Sequence, residues 1–83
     1  MPFRVSLSVR FTLPEAMPVT AEVLSVDGKS VRVLVSGVSL AEGENRLAWD
    51  GRSDDGTHVA SGVYFVRLTT RLGVESRQTV LVR

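Results

Sequence analysis

The chain has 83 residues, enough for one domain with one hydrophobic core, and we predict that residues 1–83 form that domain. Apolar residues make up 43% of the chain and charged residues 23%, so disorder is not expected. The formal net charge is +1, which gives no reason to expect nucleic acid or an anionic membrane as the partner. There is no cysteine, so no disulfide, thiolate ligand or thiolate nucleophile is available.

The first half of the chain alternates apolar and polar residues with a period of two, which is typical of half-buried strands. A strand is predicted over Phe3–Phe11 and is followed by a proline-containing loop, because proline cannot donate to a sheet ladder. A second strand runs over about Val19–Val26 and a third over about Ser30–Val35, which Ser36-Gly37 is predicted to end. Asp27-Gly28 between them predicts a tight hairpin turn with these two as its central residues, because both tolerate positive φ.

The second half continues the same pattern after a connection predicted over Val38–Glu44. A fourth strand is predicted over Asn45–Trp49, and a loop over Asp50–Gly62 follows it. Val63–Thr70 has apolar residues on both faces, which indicates a central strand, and Glu75–Val82 is the last strand. Six or seven short strands separated by turns predict an all-β fold, an antiparallel β-sandwich of about seven strands.

The predicted loop contains three aspartates, three glycines and the only histidine of the chain. Aspartate side chains in turns accept hydrogen bonds from backbone N–H groups two residues further on. On this structural interpretation, Asp50 accepts from Arg52 and Asp54 accepts from Gly56. The loop is then a compact corner whose acids replace the hydrogen bonds of a ladder.

Glycines and aromatic residues in this region fit the same interpretation. Gly51 and Gly56 permit positive φ, and Gly62 marks the point where the chain re-enters the sheet. Trp49 is predicted to be the largest side chain of the core. Tyr64 is predicted to bury its ring while its hydroxyl group bonds to the loop backbone.

A metal site is the first functional alternative for this loop. An EF-hand calcium loop that began at Asp50 would place Arg52 at its third position, where a ligand belongs. An irregular calcium site formed by Asp50, Asp54 and Asp55 stays open as an alternative. The main prediction is that the domain holds no metal and needs no cofactor.

Catalysis and other ligands have weaker support in the sequence. His58 is the only histidine, so a His-pair metal site is excluded. Ser53 or Ser61 beside His58 could supply a Ser-His-Asp arrangement, but no nucleophile-elbow motif accompanies it, so no enzymatic activity is predicted. The glycines lack the spacing of a phosphate cradle, and the basic residues lack an aromatic stacking platform. No nucleic-acid binding is predicted, and no membrane insertion, because the apolar runs fall far short of ~20 residues.

Several motifs together resemble the Ig-like domain of the FlgD family, the flagellar hook-capping proteins. The most specific is Trp49-Asp50-Gly51-x-x-Asp54-x-Gly56-x-x-Val59-x-Ser61-Gly62-Val63-Tyr64. Weaker matches are Arg10-Phe11-Thr12-Leu13-Pro14, Val26-Asp27-x-Lys29, Val31-x-x-Leu34 and Leu40-x-x-Gly43. The resemblance covers about Ser8–Arg83 and implies an Ig-like sandwich.

The resemblance also implies a function, because similar modules end many large secreted bacterial proteins. It favours a non-catalytic C-terminal module of a secreted or cell-surface protein that acts in sorting by type IX secretion, in anchoring or in interdomain packing. The partners would be the secretion machinery or adjacent domains of the parent chain, with weak self-association as a further option. The alternatives are an accessory carbohydrate-binding module of a multidomain hydrolase and a flagellar hook-cap assembly domain. A secreted or surface location is expected from the resemblance, although Met1-Pro2-Phe3-Arg4 lacks the apolar segment of a signal peptide.

Overall fold

The computed structural model describes residues 7–82, and these residues form six antiparallel strands. The strands are β1 (Leu7–Leu13), β2 (Met17–Leu24), β3 (Ser30–Leu40), β4 (Gly43–Trp49), β5 (Gly62–Thr70) and β6 (Gly73–Leu81). The predicted all-β fold is confirmed, with six strands in residues 7–82 where about seven were expected. No helix in this part of the chain is long and apolar enough to cross a membrane.

The strands form two sheets. One has four strands in the order β3-β2-β5-β6, and the other is the pair β1-β4. β5 lies between β2 and β6, so the prediction of a central strand near Val63–Thr70 is confirmed. Because the backbones of β1 and β4 form a ladder only with each other, side-chain contacts join the small sheet to the large one.

The core lies between the two sheets and is filled by alternate residues of the strands. One cluster of buried residues consists of Phe11, Leu13, Met17, Val19, Ala21 and Leu68. A second cluster consists of Val23, Trp49, Tyr64, Val66 and Leu81. Full burial of each large apolar side chain contributes about 1.5–3 kcal/mol relative to leaving it in water, so these clusters supply the main driving force of folding.

Several predicted strand boundaries were wrong; β2, for example, runs over Met17–Leu24 instead of about Val19–Val26. β1 continues past Phe11 to Leu13, because the side chain of Leu13 is buried and its backbone still pairs with Gly43. The beginning of the predicted first strand, residues 3–6, lies outside the described residues.

The prediction that Ser36-Gly37 ends the third strand was also wrong. β3 passes through Gly37, which has a φ of 61°, and continues to Leu40. The N–H of Gly37 donates to the hydroxyl oxygen of Thr20 at 3.0 Å, which compensates for the locally irregular pairing with β2. The predicted connection Val38–Glu44 therefore shrinks to Ala41 and Glu42.

The turn between β2 and β3 lies where Asp27-Gly28 predicted it, but its geometry differs. The N–H of Gly28 donates to the carbonyl oxygen of Ser25, and the N–H of Ser25 donates to that of Lys29, both at 2.9 Å. Val26 and Asp27 are the central residues, and only Gly28 has a positive φ, of 83°. The expectation that Asp27 and Gly28 are the central pair was wrong, because the glycine follows the central pair instead of belonging to it.

Candidate functional site

Two buried aromatic residues hold the ends of the loop that connects β4 to β5, residues Asp50–Ser61. Trp49 is 2% exposed, and its indole Nε1–H donates to the carbonyl oxygen of Arg52 at 2.9 Å. The hydroxyl group of Tyr64 donates to the carbonyl oxygen of Ala60 at 2.6 Å. The two rings meet edge to face with their centroids 5.1 Å apart. Each ring thus fills the core while its polar atom fixes the loop backbone.

The middle of the loop is a tight turn over Ser53–Thr57. The N–H of Gly56 donates to the carbonyl oxygen of Ser53 at 3.0 Å, and the N–H of Ser53 donates to that of Thr57 at 2.9 Å. The carboxylate of Asp55 accepts from the Ser53 hydroxyl group and from the N–H of Thr57. The Ser53 hydroxyl is the main cause that lowers the pKa of Asp55 to about 2, and bonds from Thr57 add to it. The predicted bond from Gly56 to Asp54 was wrong, since Asp55 supplies the acceptor of this turn.

Asp54 instead attaches the loop to the large sheet. Its N–H donates to the carbonyl oxygen of Val31 at 2.9 Å, and its Oδ1 accepts from the N–H of Val33 at 2.9 Å. Both groups belong to the side of β3 that faces away from β2. Asp54 therefore takes the place that another strand would occupy, and it covers part of an edge that would otherwise be open to pairing.

Asp50 fixes the beginning of the loop. Its Oδ1 accepts from the N–H of Arg52 at 3.1 Å, so the predicted bond is present. Arg32 of β3 lies 3.4 Å from the same carboxylate oxygen and 3.4 Å from the carbonyl oxygen of Arg52. An exposed ion pair of this kind contributes about 0.2–1 kcal/mol. Sequence reasoning missed Arg32, because the pairing joins residues that are far apart in the chain and no local motif marks it.

The three glycines of the motif lie at different places along the loop and have different roles. Gly51 is buried with a φ of 76°, and its carbonyl oxygen accepts from the N–H of Val59 at 3.1 Å. Gly56 completes the turn with a φ of 86°. Gly62 is the first residue of β5 and pairs with Leu81, so the chain does re-enter the sheet there.

The three aspartates do not converge on a common point. Asp50 binds Arg32 and Arg52, Asp54 binds β3, and Asp55 binds its own turn. Within residues 7–82 there is no group of three His, Cys, Asp or Glu side chains that could hold a metal ion. The calcium alternative built on Asp50, Asp54 and Asp55 therefore lacks a preformed site in the described residues.

The structure does not support the alternative Ser-His-Asp arrangement. His58 is exposed and lies opposite Arg52 in an isolated bridge of the loop. The hydroxyl group of Ser53 donates to Asp55, and Ser61 is exposed next to the start of β5. An open groove of about 380 Å³ lies between β1 and β6, and no residue of the loop lines it.

These features define a class of protein. Two antiparallel sheets enclose an apolar core that includes Trp49, and a tyrosine at the start of a strand bonds back to the chain four residues upstream, as in the tyrosine corner of Ig-like sandwiches. The chain is thus an Ig-like β-sandwich, and its acidic loop is a structural corner.

Comparison with known proteins gives the family. Residues 4–73 match the family profile described as the FlgD Ig-like domain, so the chain belongs to the FlgD Ig-like domain family. The basal-body rod modification proteins FlgD of Salmonella typhimurium and Salmonella typhi are each 40% identical to it over 55 residues. That match covers 66% of this chain and 23% of each relative, so the chain spans less than a quarter of their length.

A solved structure extends the similarity to most of the fold. The crystal structure of FlgD from Xanthomonas campestris, described as giving insights into the hook capping essential for flagellar assembly, superimposes with a TM-score of 0.68. The two are 27% identical, and the match covers 92% of this chain and 54% of that one.

The comparisons confirm one part of the predicted resemblance and correct another. The FlgD Ig-like domain is confirmed. The prediction of a cell-surface module for type IX secretion sorting was wrong, because the similar proteins are flagellar FlgD proteins. The residue motifs identified the domain family and did not determine its use.

Proposed function

We propose that this chain is the Ig-like domain of a FlgD-type hook-capping protein and serves as a structural module in flagellar assembly. The observation that carries the proposal is its 40% identity over 55 residues to basal-body rod modification proteins FlgD. The similarity to the FlgD fold of Xanthomonas campestris over 92% of this chain supports it. Its partners would be proteins of the flagellar hook.

The arrangement of the acidic loop supports a structural role. Its aspartates, indole and tyrosine hydroxyl each hold the loop to itself or to the sheets through protein groups. A loop that is complete without a ligand presents a fixed shape to neighbouring proteins. The predicted lack of enzymatic activity is consistent with such a role.

The carbohydrate-binding alternative has less support. Trp49 is the only tryptophan, and it is buried against Tyr64 instead of forming an exposed platform for a sugar ring. A secreted location stays a prediction, as does the absence of a bound cofactor.

Domain exchange tests the proposal. The matched 55-residue segment of FlgD from Salmonella typhimurium is replaced by the corresponding segment of this chain, and hook formation and swimming are measured in a strain without its own FlgD. We expect hooks and motility. A matched chimera with Trp49→Ala should lose both, because a large buried side chain is removed from the core. An unsubstituted chimera that accumulates normally but supports neither hooks nor swimming would overturn the proposal.

A further inference from the structure

The two edges of the large sheet are protected differently. The outer side of β3 receives Asp54 through two hydrogen bonds, to Val31 and from Val33. β6 forms the other edge and pairs with β5 alone. In the described part of the chain no backbone hydrogen bond reaches the outer side of β6, so its N–H and C=O groups are available to another strand.

The side chains of β6 divide into two sets, which its register with β5 defines. Glu75 and Arg77 lie opposite the buried residues Leu68 and Val66, so both point to the inner side of the sheet. The side chains of even-numbered residues point to the opposite, solvent-facing face of the sheet, where Val80 is 50% exposed. The Glu75 and Arg77 side chains lie 3.3 Å apart and are 64% and 40% exposed, so both are accessible at the edge.

We propose that two copies of this chain pair through β6, antiparallel and with Ser76 opposite Ser76 of the second copy. A two-fold axis through this point places Glu75 of each copy opposite Arg77 of the other. The same residues then form two ion pairs across one interface, which is the self-complementarity that a two-fold dimer requires. The two large sheets become one continuous sheet of eight strands.

The charges select this register over its neighbours. Moving the axis by one residue to Glu75 would set two carboxylates opposite each other, and moving it to Arg77 would set two guanidinium groups opposite each other. Like charges directly opposite are destabilising in a sheet. Inward-pointing charges commonly guard a strand edge against pairing, so here they would reject most partners and accept a copy in one register.

Apolar contacts reinforce the same register. Leu72, in the turn before β6, is 60% exposed, and the proposed axis sets it opposite Val80 of the second copy. Val74 is 65% exposed and would lie beside this pair on the outer face. The interface thus brings three exposed apolar side chains of this edge, Leu72, Val74 and Val80, together on one face. The inference goes beyond the proposed role in hook capping and does not depend on it.

The test is sedimentation of the full 83-residue chain and two charge-reversal variants. The chain of 9.0 kDa should show a concentration-dependent shift towards twice that mass. Glu75→Arg gives a β6 with two positive charges, and Arg77→Glu gives one with two negative charges. Each variant alone should associate at least about tenfold more weakly, because both cross-strand pairs become repulsive. An equimolar mixture of the two should restore association, because opposite charges then meet at both pairs.

Controls separate this interface from other effects. Glu42→Arg changes the net charge by the same amount and sign as Glu75→Arg, but at an exposed position outside β6. This variant should associate as the original chain does. Arg77 also donates to the carbonyl oxygen of Arg10, so the fold of the Arg77→Glu variant is checked by circular dichroism. Concentration-dependent amide shifts should fall within residues 73–81. A chain that stays monomeric up to about 1 mM, a mixture that fails to associate, or amide shifts confined to other strands would overturn the inference.

Discussion

Two turns of this domain share one sequence pattern and differ in what they are attached to. Ser25–Lys29 and Ser53–Thr57 both read Ser-x-Asp-Gly-x. In each, the glycine N–H donates to the serine carbonyl, the serine N–H donates to the fifth residue, and the serine hydroxyl donates to the aspartate. The pattern therefore determines the local geometry in both places.

The second position separates them. Val26 occupies it in the first turn, where its side chain is 72% exposed at the end of a hairpin. Asp54 occupies it in the second turn and makes two hydrogen bonds to β3. The same turn is thus the exposed end of a hairpin in one place and, through Asp54, a clamp on the edge of β3 in the other.

The largest expected difference between the two turns is in the free energy of unfolding when the residue at their second position is replaced. Asp54→Ala removes the acceptor for the N–H of Val33 and should lower the free energy of unfolding by about 1–3 kcal/mol, measured by urea denaturation. The matched change Val26→Ala should alter it by less than about 0.5 kcal/mol. Asp54→Asn keeps an acceptor oxygen and should fall between them. Equal effects of the two alanine variants would show that Asp54 does not clamp β3.

A smaller effect should be shared by the two turns. Gly28 and Gly56 have φ values of 83° and 86°, and a Cβ at either position would meet nothing within 4 Å. Gly28→Ala and Gly56→Ala should therefore each cost about 1–2 kcal/mol, from backbone conformation alone. The measurement is thermal unfolding of the two variants side by side. A clearly larger cost at Gly56 would mean that the clamp adds strain of its own.

Acid should distinguish the two turn aspartates. Hydrogen bonds from serine hydroxyl groups lower the pKa of Asp27 and lower that of Asp55 further, to about 2. Because the pKa of each carboxyl is lower in the folded state, each carboxylate contributes its full stabilisation at a pH above the ordinary pKa of 3.8. This stabilisation is lost as the pH falls through the folded-state pKa. Stability should therefore fall between about pH 4 and about pH 2.

Asparagine variants assign this acid dependence. Asp55→Asn should flatten the loss of stability at low pH more than Asp27→Asn does, and carboxyl chemical shifts should report the lower pKa for Asp55. If both titrate near 3.8, the serine bonds do not form in solution.

The smallest expected effect is that of calcium. Asp54 and Asp55 bind groups of the protein in different directions, so calcium should leave the melting temperature of the domain unchanged. Magnesium at the same ionic strength serves as the control. A rise with calcium that a chelator reverses would show that the second turn, unlike the first, is a metal site, since binding to the folded state adds stability by mass action.

Local features of the fold could be predicted from the sequence, and pairings between distant residues could not. Apolar residues on both faces correctly placed β5 in the centre of a sheet. Trp49 and Tyr64 were each predicted to bury their rings, and the structure buries both, with their centroids 5.1 Å apart. The β1-β4 pair and the sheet order are set by packing across the whole chain, which local periodicity does not report.

The acidic loop shows the same limit at single residues. Asp54 and Asp55 are adjacent, and the rule that aspartate bonds two residues ahead applies equally well to either. Asp54 is the one that leaves the turn to bind β3, and its partner Val33 lies more than twenty residues earlier in the chain. Ser36-Gly37 looked like a strand end for a similar reason, because the bond from Gly37 to Thr20 that keeps the strand going is invisible locally.

The small β1-β4 sheet has a consequence for how the domain folds. Leu7 pairs with Trp49, whereas the β5-β6 hairpin is closed by Thr70 and Gly73. Joining distant ends of a chain costs more conformational entropy than joining near ones, and only packing against the large sheet compensates for it. The hairpins of the large sheet can thus form first and offer a surface on which β1 and β4 meet. The pairing of β2 with β5, from Thr20 with Thr69 to Leu24 with Phe65, closes a stretch of chain at least as long, so both layers depend on non-local contacts, which is typical of slowly folding sandwiches.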